Sequence, residues 1–212
     1  MVTYVTHIGD TVLSVTVNTG TQTWARIVDG ALTSLARRGQ HKFSMTDVCA
    51  ESGVSRGTLY RYFASREEVL DAIETRLDSS MREHVTEAIA ADPALEHRVE
   101  VVFTAMSAHW SDFPALELLV QTEPGMVLER LGHHLDSTVD FFLDCLHPAL
   151  EQASAVRDGS VTERGLVELM VHSAVSVCLL APASDTSRSA LLQETMAGII
   201  SDAPAVRRTL AS

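Results

Sequence analysis

The sequence contains few cysteines and none of the short motifs that mark common enzyme classes. Cys49, Cys145 and Cys178 are odd in number and widely separated, which fits neither a disulfide framework nor a thiolate metal site. We therefore expect a reducing compartment. A nucleophile elbow, a glycine-rich phosphate loop and an HExxH pair are all missing, so we predict no catalytic residue, no enzyme activity and no cofactor.

Long apolar runs are missing as well. The most apolar segment, residues 165–181, has Glu168 and His172 near its middle and is shorter than the roughly 20 apolar residues that cross a bilayer. We predict that it is buried in protein and that the chain has no membrane partner. The N-terminal region lacks a basic stretch followed by an apolar run and a cleavage site, so we expect a cytoplasmic protein.

The histidines are not spaced as metal ligands. His133 and His134 are adjacent, and neighbouring side chains on a helix point about 100° apart. His109 and His147 are distant in sequence, and no cysteine or carboxylate joins any of the four at ligand spacing. We therefore predict no metal site.

Helical periodicity dominates from residue 21 onward. Residues 24–35 place apolar side chains at i, i+3, i+4 and i+7, and this helix should end before Gly39. A later helix is predicted over residues 66–91, ahead of Pro93, and further helical segments follow it. Because 46% of the residues are hydrophobic, a chain of this length can bury a substantial core. We predict an all-α fold.

Between those two helices the sequence contains the start and stop signals of two short ones. Ser44 can cap the first short helix, and Gly53 suits the left-handed conformation that ends it. Ser55 can cap the second, on which Leu59 and Phe63 form one apolar stripe. The opposite stripe should therefore face outward.

That outward stripe is rich in groups that can contact DNA. It offers two guanidiniums, several hydroxyls and a glycine, so that both backbone and hydrogen-bond donors can approach phosphates and base edges. We predict a helix-turn-helix whose recognition helix covers about residues 55–62.

The run GVSRGTLYRYF at residues 53–63 is followed by Ser-Arg-Glu-Glu at 65–68 and by Leu70. This pattern, within residues 21–70, resembles the DNA-binding domain of TetR-family transcriptional regulators. The resemblance implies an N-terminal three-helix DNA-binding domain and a C-terminal helical domain that binds a ligand and dimerises. The DNA contacts that it implies are Ser44, Thr46, Ser55, Arg56, Gly57, Thr58, Tyr60, Arg61, Tyr62 and Arg66.

Charge is distributed unevenly along the chain. Residues 21–66 contain seven lysines and arginines against three acidic residues, a net charge of +4, whereas the whole chain carries −12. An acidic C-terminal body repels phosphate, which confines DNA to the basic head. The charge pattern therefore favours the same interface as the motif.

The chain divides into three predicted parts. Residues 1–20 are an N-terminal extension, 21–66 the helix-turn-helix domain, and 67–212 the helical ligand-binding and dimerisation domain. The extension alternates Val or Ile with Thr and Ser around Gly9-Asp10, so a small hairpin or an arm that touches DNA or the body is one alternative. The other is a mobile segment, or a stretch translated upstream of the functional start.

The middle helices supply the predicted pocket for a small-molecule effector. Their side chains could line a cavity that is mostly apolar with a few polar anchors, which is the usual composition of a ligand site. The pocket itself is implied by the family resemblance, and ordinary core packing is the alternative for each residue. The candidates are Phe103, Met106, His109, Trp110, Phe113, Met126, Leu131, His134, Phe142, Cys145 and Met170.

Two apolar segments near the C-terminus are predicted to form a homodimer. Residues 165–181 and 191–200 carry small and apolar side chains, and two such helices from each subunit can form a four-helix interface with two-fold symmetry. The alternative is that both are core helices of a monomer. The predicted interface residues are Met170, Ser173, Ala174, Val177, Leu192, Met196 and Ile199.

These features together predict a homodimeric repressor that binds a pseudo-palindromic double-stranded DNA operator. A small, largely apolar effector would release it by swinging the helix at residues 66–91, which changes the separation of the two recognition helices. An activator with the same motif, or a small-molecule sensor that has lost DNA binding, are the alternatives.

Overall fold

The computed structural model describes residues 2–8, 11–17, 19–111 and 113–180. Within these ranges a short hairpin is followed by helices, and the all-α prediction is confirmed. The helices are α1 (Thr19–Arg38), α2 (Met45–Ser52), α3 (Arg56–Tyr62), α4 (Arg66–Ala91), α5 (Arg98–Ser111), α6 (Pro114–Thr122), α7 (Pro124–Leu150), α8 (Ser154–Arg157) and α9 (Glu163–Leu180). Short 3-10 turns lie at Gln40–Lys42 and Leu95–His97.

The hairpin precedes the first helix. Its strands β1 (Val2–Ile8) and β2 (Thr11–Val17) pair antiparallel, with Val2 opposite Val17 and Ile8 opposite Thr11. This is the strand alternative that the alternation of Val and Thr allows. Helix α1 then begins at residue 19, so the helical region starts two residues earlier than predicted.

The first compact unit, Met1–Arg76, contains α1, α2, α3 and the first part of α4. Each of these helices buries the apolar face that its sequence predicts. In α1 the predicted positions 27, 28, 31, 32 and 35 are all buried, while Trp24 is half-buried. On the other helices of this unit, the largest fully buried side chains are Val48 on α2, Leu59 on α3 and Val69 on α4.

Helix α4 has the bounds that the sequence predicts, residues 66–91. At its start the amide of Glu68 donates to Ser65 Oγ over 3.1 Å, and the Glu68 carboxylate accepts from the amide of Ala64 over 2.7 Å. The two bonds form a variant of the capping box, in which the carboxylate accepts from the residue before the cap. The helix crosses the boundary between the two compact units, since the second unit begins at Leu77.

The second unit, Leu77–Ser212, is built around an apolar cluster contributed by the end of α4 and by α5, α7 and α9. Helix α7 is 27 residues long and continues past Pro148 to residue 150. A proline so near the end removes a hydrogen bond from the last turn only, which explains why the helix is not broken. A loop that includes Asp158 and Gly159 lies between α8 and α9, with Gly159 at a φ of 78°. The predicted helix at 191–200 lies outside the described residues.

Candidate DNA-binding surface

Helix α2 begins at its predicted cap. The amide of Asp47 donates to Ser44 Oγ over 3.4 Å, and the serine hydroxyl donates to the Asp47 carboxylate over 2.5 Å. The serine hydroxyl thus makes both hydrogen bonds of this cap, one as acceptor and one as donor. The helix ends at Gly53, whose φ of 66° and ψ of 24° lie in the left-handed region, as predicted.

Helix α3 has one buried and one exposed face. Ser55 Oγ accepts from the amide of Thr58 over 3.1 Å and so caps the helix. Leu59 is 0% exposed and Phe63 is 5% exposed, and these two side chains attach the helix to the core of the domain. The opposite face is turned outward, which confirms the predicted orientation. Its exposed residues are Arg56, Gly57, Tyr60 and Arg61.

The structure brings together predicted contact residues from α2 and α3. The Arg56 guanidinium donates from Nη2 to Thr46 Oγ1 over 2.9 Å, and both side chains are exposed. The glycine beside this pair leaves the helix backbone open, because a Cβ at Gly57 would meet nothing closer than Ser55 Oγ at 3.9 Å. A phosphate or a base edge can therefore approach the start of α3 closely.

Two further predicted contacts lie at the other end of α3. The Arg61 guanidinium lies 5.5 Å from the centroid of the Tyr62 ring, a distance typical of a cation–π contact. The Tyr62 hydroxyl donates to the carbonyl oxygen of Gly20 over 3.3 Å. The half-buried tyrosine thus connects the recognition helix to the first turn of α1.

Arg66 has a structural role that the sequence did not predict. Its Nη2 donates to the carbonyl oxygen of Gln40 over 2.6 Å, its Nη1 lies 3.1 Å from the Glu67 carboxylate, and the guanidinium lies 5.6 Å from the Phe43 ring. These contacts hold the turn in front of α2 in place. Lys42 in that turn is a further exposed cation beside the predicted contacts. Its signal in the sequence is a lysine two residues before the Ser44 cap.

Acidic residues on α2 face the end of α1. Arg37 lies 3.2 Å from the Glu51 carboxylate, and Arg38 lies 3.2 Å from the Asp47 carboxylate. Both arginines remain at least half exposed at their side chains. Asp47 and Glu51, one turn apart on α2, are thus accounted for by helix packing rather than by acid–base chemistry.

Gly30 sets the distance between α1 and α2. A Cβ at this buried glycine would lie 2.8 Å from the Cβ and the backbone nitrogen of Ser52. These atoms cannot be displaced without moving the α2 backbone, so the close approach requires glycine. The signal in the sequence was a glycine inside an otherwise apolar helical pattern, which often marks close packing.

Residues 27–73, which include α2, α3 and their supports, match the sequence model for "Bacterial regulatory proteins, tetR family". This part of the chain is similar to the DNA-binding domain of the TetR family. Among its relatives, the HTH-type transcriptional regulator YfiR of Bacillus subtilis is 46% identical over 59 residues, which is 27% of this chain and 29% of that protein. The chain thus matches less than a third of that relative's length.

Two further similarities extend beyond the TetR-family motif. The fatty acid metabolism regulator protein of Bacillus subtilis is 25% identical over 140 residues, which is 66% of this chain and 71% of that protein. The crystal structure of the transcriptional regulator FadR from Bacillus subtilis in complex with stearoyl-CoA has a TM-score of 0.63 and 16% identity, over 85% of this chain and 99% of that one. The second similarity shows a common fold across both units.

Several residues predicted for the ligand pocket lie together. Phe103, Met106, Phe142 and Met170 belong to the apolar cluster of the second unit, and half-buried Cys145 packs against it. Burial raises the pKa of the Cys145 thiol. This arrangement brings α5, α7 and α9 together around one apolar region.

The remaining pocket candidates have different environments. His109 is buried, with its ring centroid 5.5 Å from that of His84 and 5.1 Å from that of Phe113. Leu131 is half-buried and His134 is exposed. Met126 is buried, whereas the side chain of Trp110 lies outside the described part of the structure. The candidates thus range from buried to exposed within the described residues.

The predicted dimer residues are also divided. Met170 and Ala174 are buried in the apolar cluster of the second unit, whereas Leu169 on the outer face of α9 is 50% exposed. Ser173 is half-buried between these two faces. The apolar pattern of α9 runs almost all round the helix, so it did not indicate which face is buried. The Val177 side chain and residues Leu192, Met196 and Ile199 lie outside what the structure describes.

The described residues contain no group of three histidine, cysteine or carboxylate side chains that could hold a metal ion. In the same part of the chain, no helix is long and apolar enough to cross a membrane.

Proposed function

We propose that this chain is a homodimeric transcriptional repressor of the TetR type that binds a pseudo-palindromic DNA operator. Each protomer would insert α3 into the major groove, with the two recognition helices about 34 to 36 Å apart. The observation that carries the proposal is the polar outer face of α3, which Leu59 and Phe63 hold outward by their own burial. That face supplies exposed guanidiniums, a tyrosine and an open glycine.

Electrostatics supports the same orientation. Arg26, Lys42, Arg56 and Arg61 are exposed on the DNA-binding unit, in a chain whose total charge is −12. Cations attract the phosphate backbone, and the acidic remainder of the chain disfavours DNA elsewhere. Two-fold pairing through the C-terminal helices would place two such cationic faces on one operator.

The second unit would bind an effector that is largely apolar. We propose a long-chain acyl thioester as the first class to test, because one relative regulates fatty acid metabolism and a protein of the same fold was crystallised with stearoyl-CoA. The cluster around Phe103 and Phe142 is apolar enough to hold an acyl chain. Helix α4, which spans 26 residues and so about 39 Å, is common to both units and would carry the signal.

Selection of bound sequences from random duplex DNA, with the full-length protein, tests DNA recognition and dimer symmetry together. We expect one enriched sequence with two inverted half-sites about one helical turn apart. If no sequence is enriched, the proposed DNA-binding function is contradicted, and a small-molecule sensor without DNA binding is favoured. A single half-site would contradict the dimer alone.

Operator affinity measured with and without stearoyl-CoA tests the effector class. We expect the acyl thioester to weaken binding by roughly 5- to 150-fold, the usual range of allosteric coupling, while free coenzyme A leaves it unchanged. An unchanged dissociation constant with thioesters of several chain lengths would reject this class of effector. Transcription from the operator with and without the protein distinguishes a repressor from an activator.

The cell compartment that we propose for the protein is the cytoplasm.

A further inference from the structure

The start of the recognition helix carries an arginine that is already held in place. Arg56 is the first residue of α3, and Thr46 is the second residue of α2. The 2.9 Å hydrogen bond from Arg56 Nη2 to Thr46 Oγ1 joins the two helices of the motif on their exposed side. A long arginine side chain on a surface otherwise has many rotamers, so this bond restricts its direction.

The bond leaves the chemistry of the guanidinium available. Arginine has five N–H donors in a planar fork, and Thr46 accepts from one nitrogen only. The remaining donors can bind the O6 and N7 atoms of a guanine in a bidentate pair. Holding the fork before binding reduces the entropy lost when DNA arrives.

The second arginine of α3 has a different environment. Arg61 lies over the Tyr62 ring at the C-terminal end of the helix. In helix-turn-helix proteins the N-terminal residues of the recognition helix contact base edges. Arg56 therefore differs from Arg61 in its place at the start of the helix and in its hydrogen bond to α2.

We propose that Thr46 is a positioning residue that holds Arg56 to read one guanine, while Arg61 contacts the phosphate backbone. Base choice at that position is then a property of the α2–α3 pair rather than of α3 alone. The inference rests on the proposed DNA-binding function. It gives Thr46 an indirect role, through Arg56, in place of a contact of its own.

The test compares full-length Thr46→Val, Thr46→Ser, Arg56→Ala and the Thr46→Val/Arg56→Ala double variant with the parent protein. Valine has the shape of threonine without the hydroxyl acceptor, and serine keeps the acceptor. Each protein is titrated with the selected operator, with operators changed at one base pair at a time, and with unrelated DNA. Urea midpoints verify that the variants are folded.

We expect Arg56→Ala to lose roughly 5- to 150-fold in preference for guanine at one position. Thr46→Val should lose about fivefold at that same position, the usual net worth of a single hydrogen bond. Thr46→Ser should retain the preference, and the double variant should match Arg56→Ala. Binding to unrelated DNA is the reference for each protein, so that the preference for guanine is compared as a ratio of affinities.

Three results would overturn the inference: an unchanged preference in Thr46→Val, a loss at a different base pair from Arg56→Ala, or additive losses in the double variant. If the parent protein enriches no sequence at all, the proposed function fails as well. If the parent protein is sequence-selective and Thr46→Val has the same preference for guanine, only the positioning role of Thr46 is rejected.

Discussion

Among single residues, two buried serines of the N-terminal unit have opposite hydrogen-bonding situations. Ser34 on α1 is 0% exposed, and within the described structure its hydroxyl has no hydrogen-bond partner. Ser52 on α2 is also buried, but its hydroxyl donates to the carbonyl oxygen of Val48 over 2.6 Å. A buried hydroxyl without a partner costs free energy that a methyl group does not.

We therefore expect Ser34→Ala to raise the free energy of unfolding by about 1 kcal/mol. The matched control is Ser52→Ala, which removes a satisfied hydroxyl of the same size and should be neutral or destabilising. Urea unfolding of the full chain measures both. A loss of stability in Ser34→Ala as large as that in Ser52→Ala would mean that the Ser34 hydroxyl is satisfied.

In the candidate site, local contacts could be predicted from the sequence and long-range contacts could not. The cap at Ser44 and the left-handed Gly53 were predicted because both depend on neighbours within four positions. The pairing of Arg66 with the Gln40 carbonyl was not predicted, because it joins residues 26 positions apart. No local pattern indicates such a partner.

At the scale of elements, the α1–α2 contact depends on one glycine. Alanine favours a helix over glycine by about 1 kcal/mol, but a Cβ at Gly30 would lie 2.8 Å from Ser52 atoms that include the backbone nitrogen. Inserting an extra carbon atom into a well-packed contact usually costs about 1 to 3 kcal/mol. The steric term should therefore decide the outcome.

We expect Gly30→Ala to lower the urea midpoint of the full chain. The control is Gly132→Ala on α7, where a Cβ would meet nothing within 4 Å, so that helix propensity alone should stabilise the protein by up to about 1 kcal/mol. Equal stabilisation by both substitutions would show that α1 and α2 can separate without cost.

Another contact between elements depends on pH. His147 near the end of α7 lies with its Nδ1 2.7 Å from a carboxylate oxygen of Glu163, the first residue of α9. This hydrogen bond, followed by the charges of Glu163, Glu151 and Asp144, raises the pKa of His147. A raised pKa means that the folded chain binds the proton more tightly than the unfolded chain does.

The contribution to stability is therefore complete below the ordinary histidine pKa of about 6.5 and is lost as the pH rises through the higher pKa of the folded protein. We expect the difference in melting temperature between the parent protein and His147→Gln to be largest near pH 5 and to shrink toward pH 9. His133→Gln, an exposed histidine on the same helix, provides the comparison. A difference that is constant with pH would exclude protonation as the cause.

For the whole molecule, charge and helix continuity define its organisation. Seven of the chain's 16 lysines and arginines lie within residues 21–66, whereas the second unit is acidic. The contact boundary between Arg76 and Leu77 falls inside α4, ten residues after the predicted domain boundary. Periodicity predicted the bounds of the helix correctly. It contained no information about which residues of the helix contact the first unit and which contact the second.

The C-terminal unit was the least predictable part. Helix α9 is apolar almost all round, so the pattern could not distinguish the inward residues Met170 and Ala174 from the outward Leu169. For the same reason, an apolar residue such as Phe142 is predicted equally well as core or as pocket lining. The choice depends on neighbouring helices, which lie far away in the sequence.

The sequence by itself determined the helical fold, the caps and ends of the motif helices, the outward face of α3 and the TetR-family resemblance. Each of these depends on side chains a few positions apart, whose spacing is visible in the printed chain. Tertiary structure alone decided that Gly30 meets Ser52, that Arg66 supports the turn before α2, and that Thr46 holds Arg56. These contacts join separate elements, and their geometry exists only after the helices have packed.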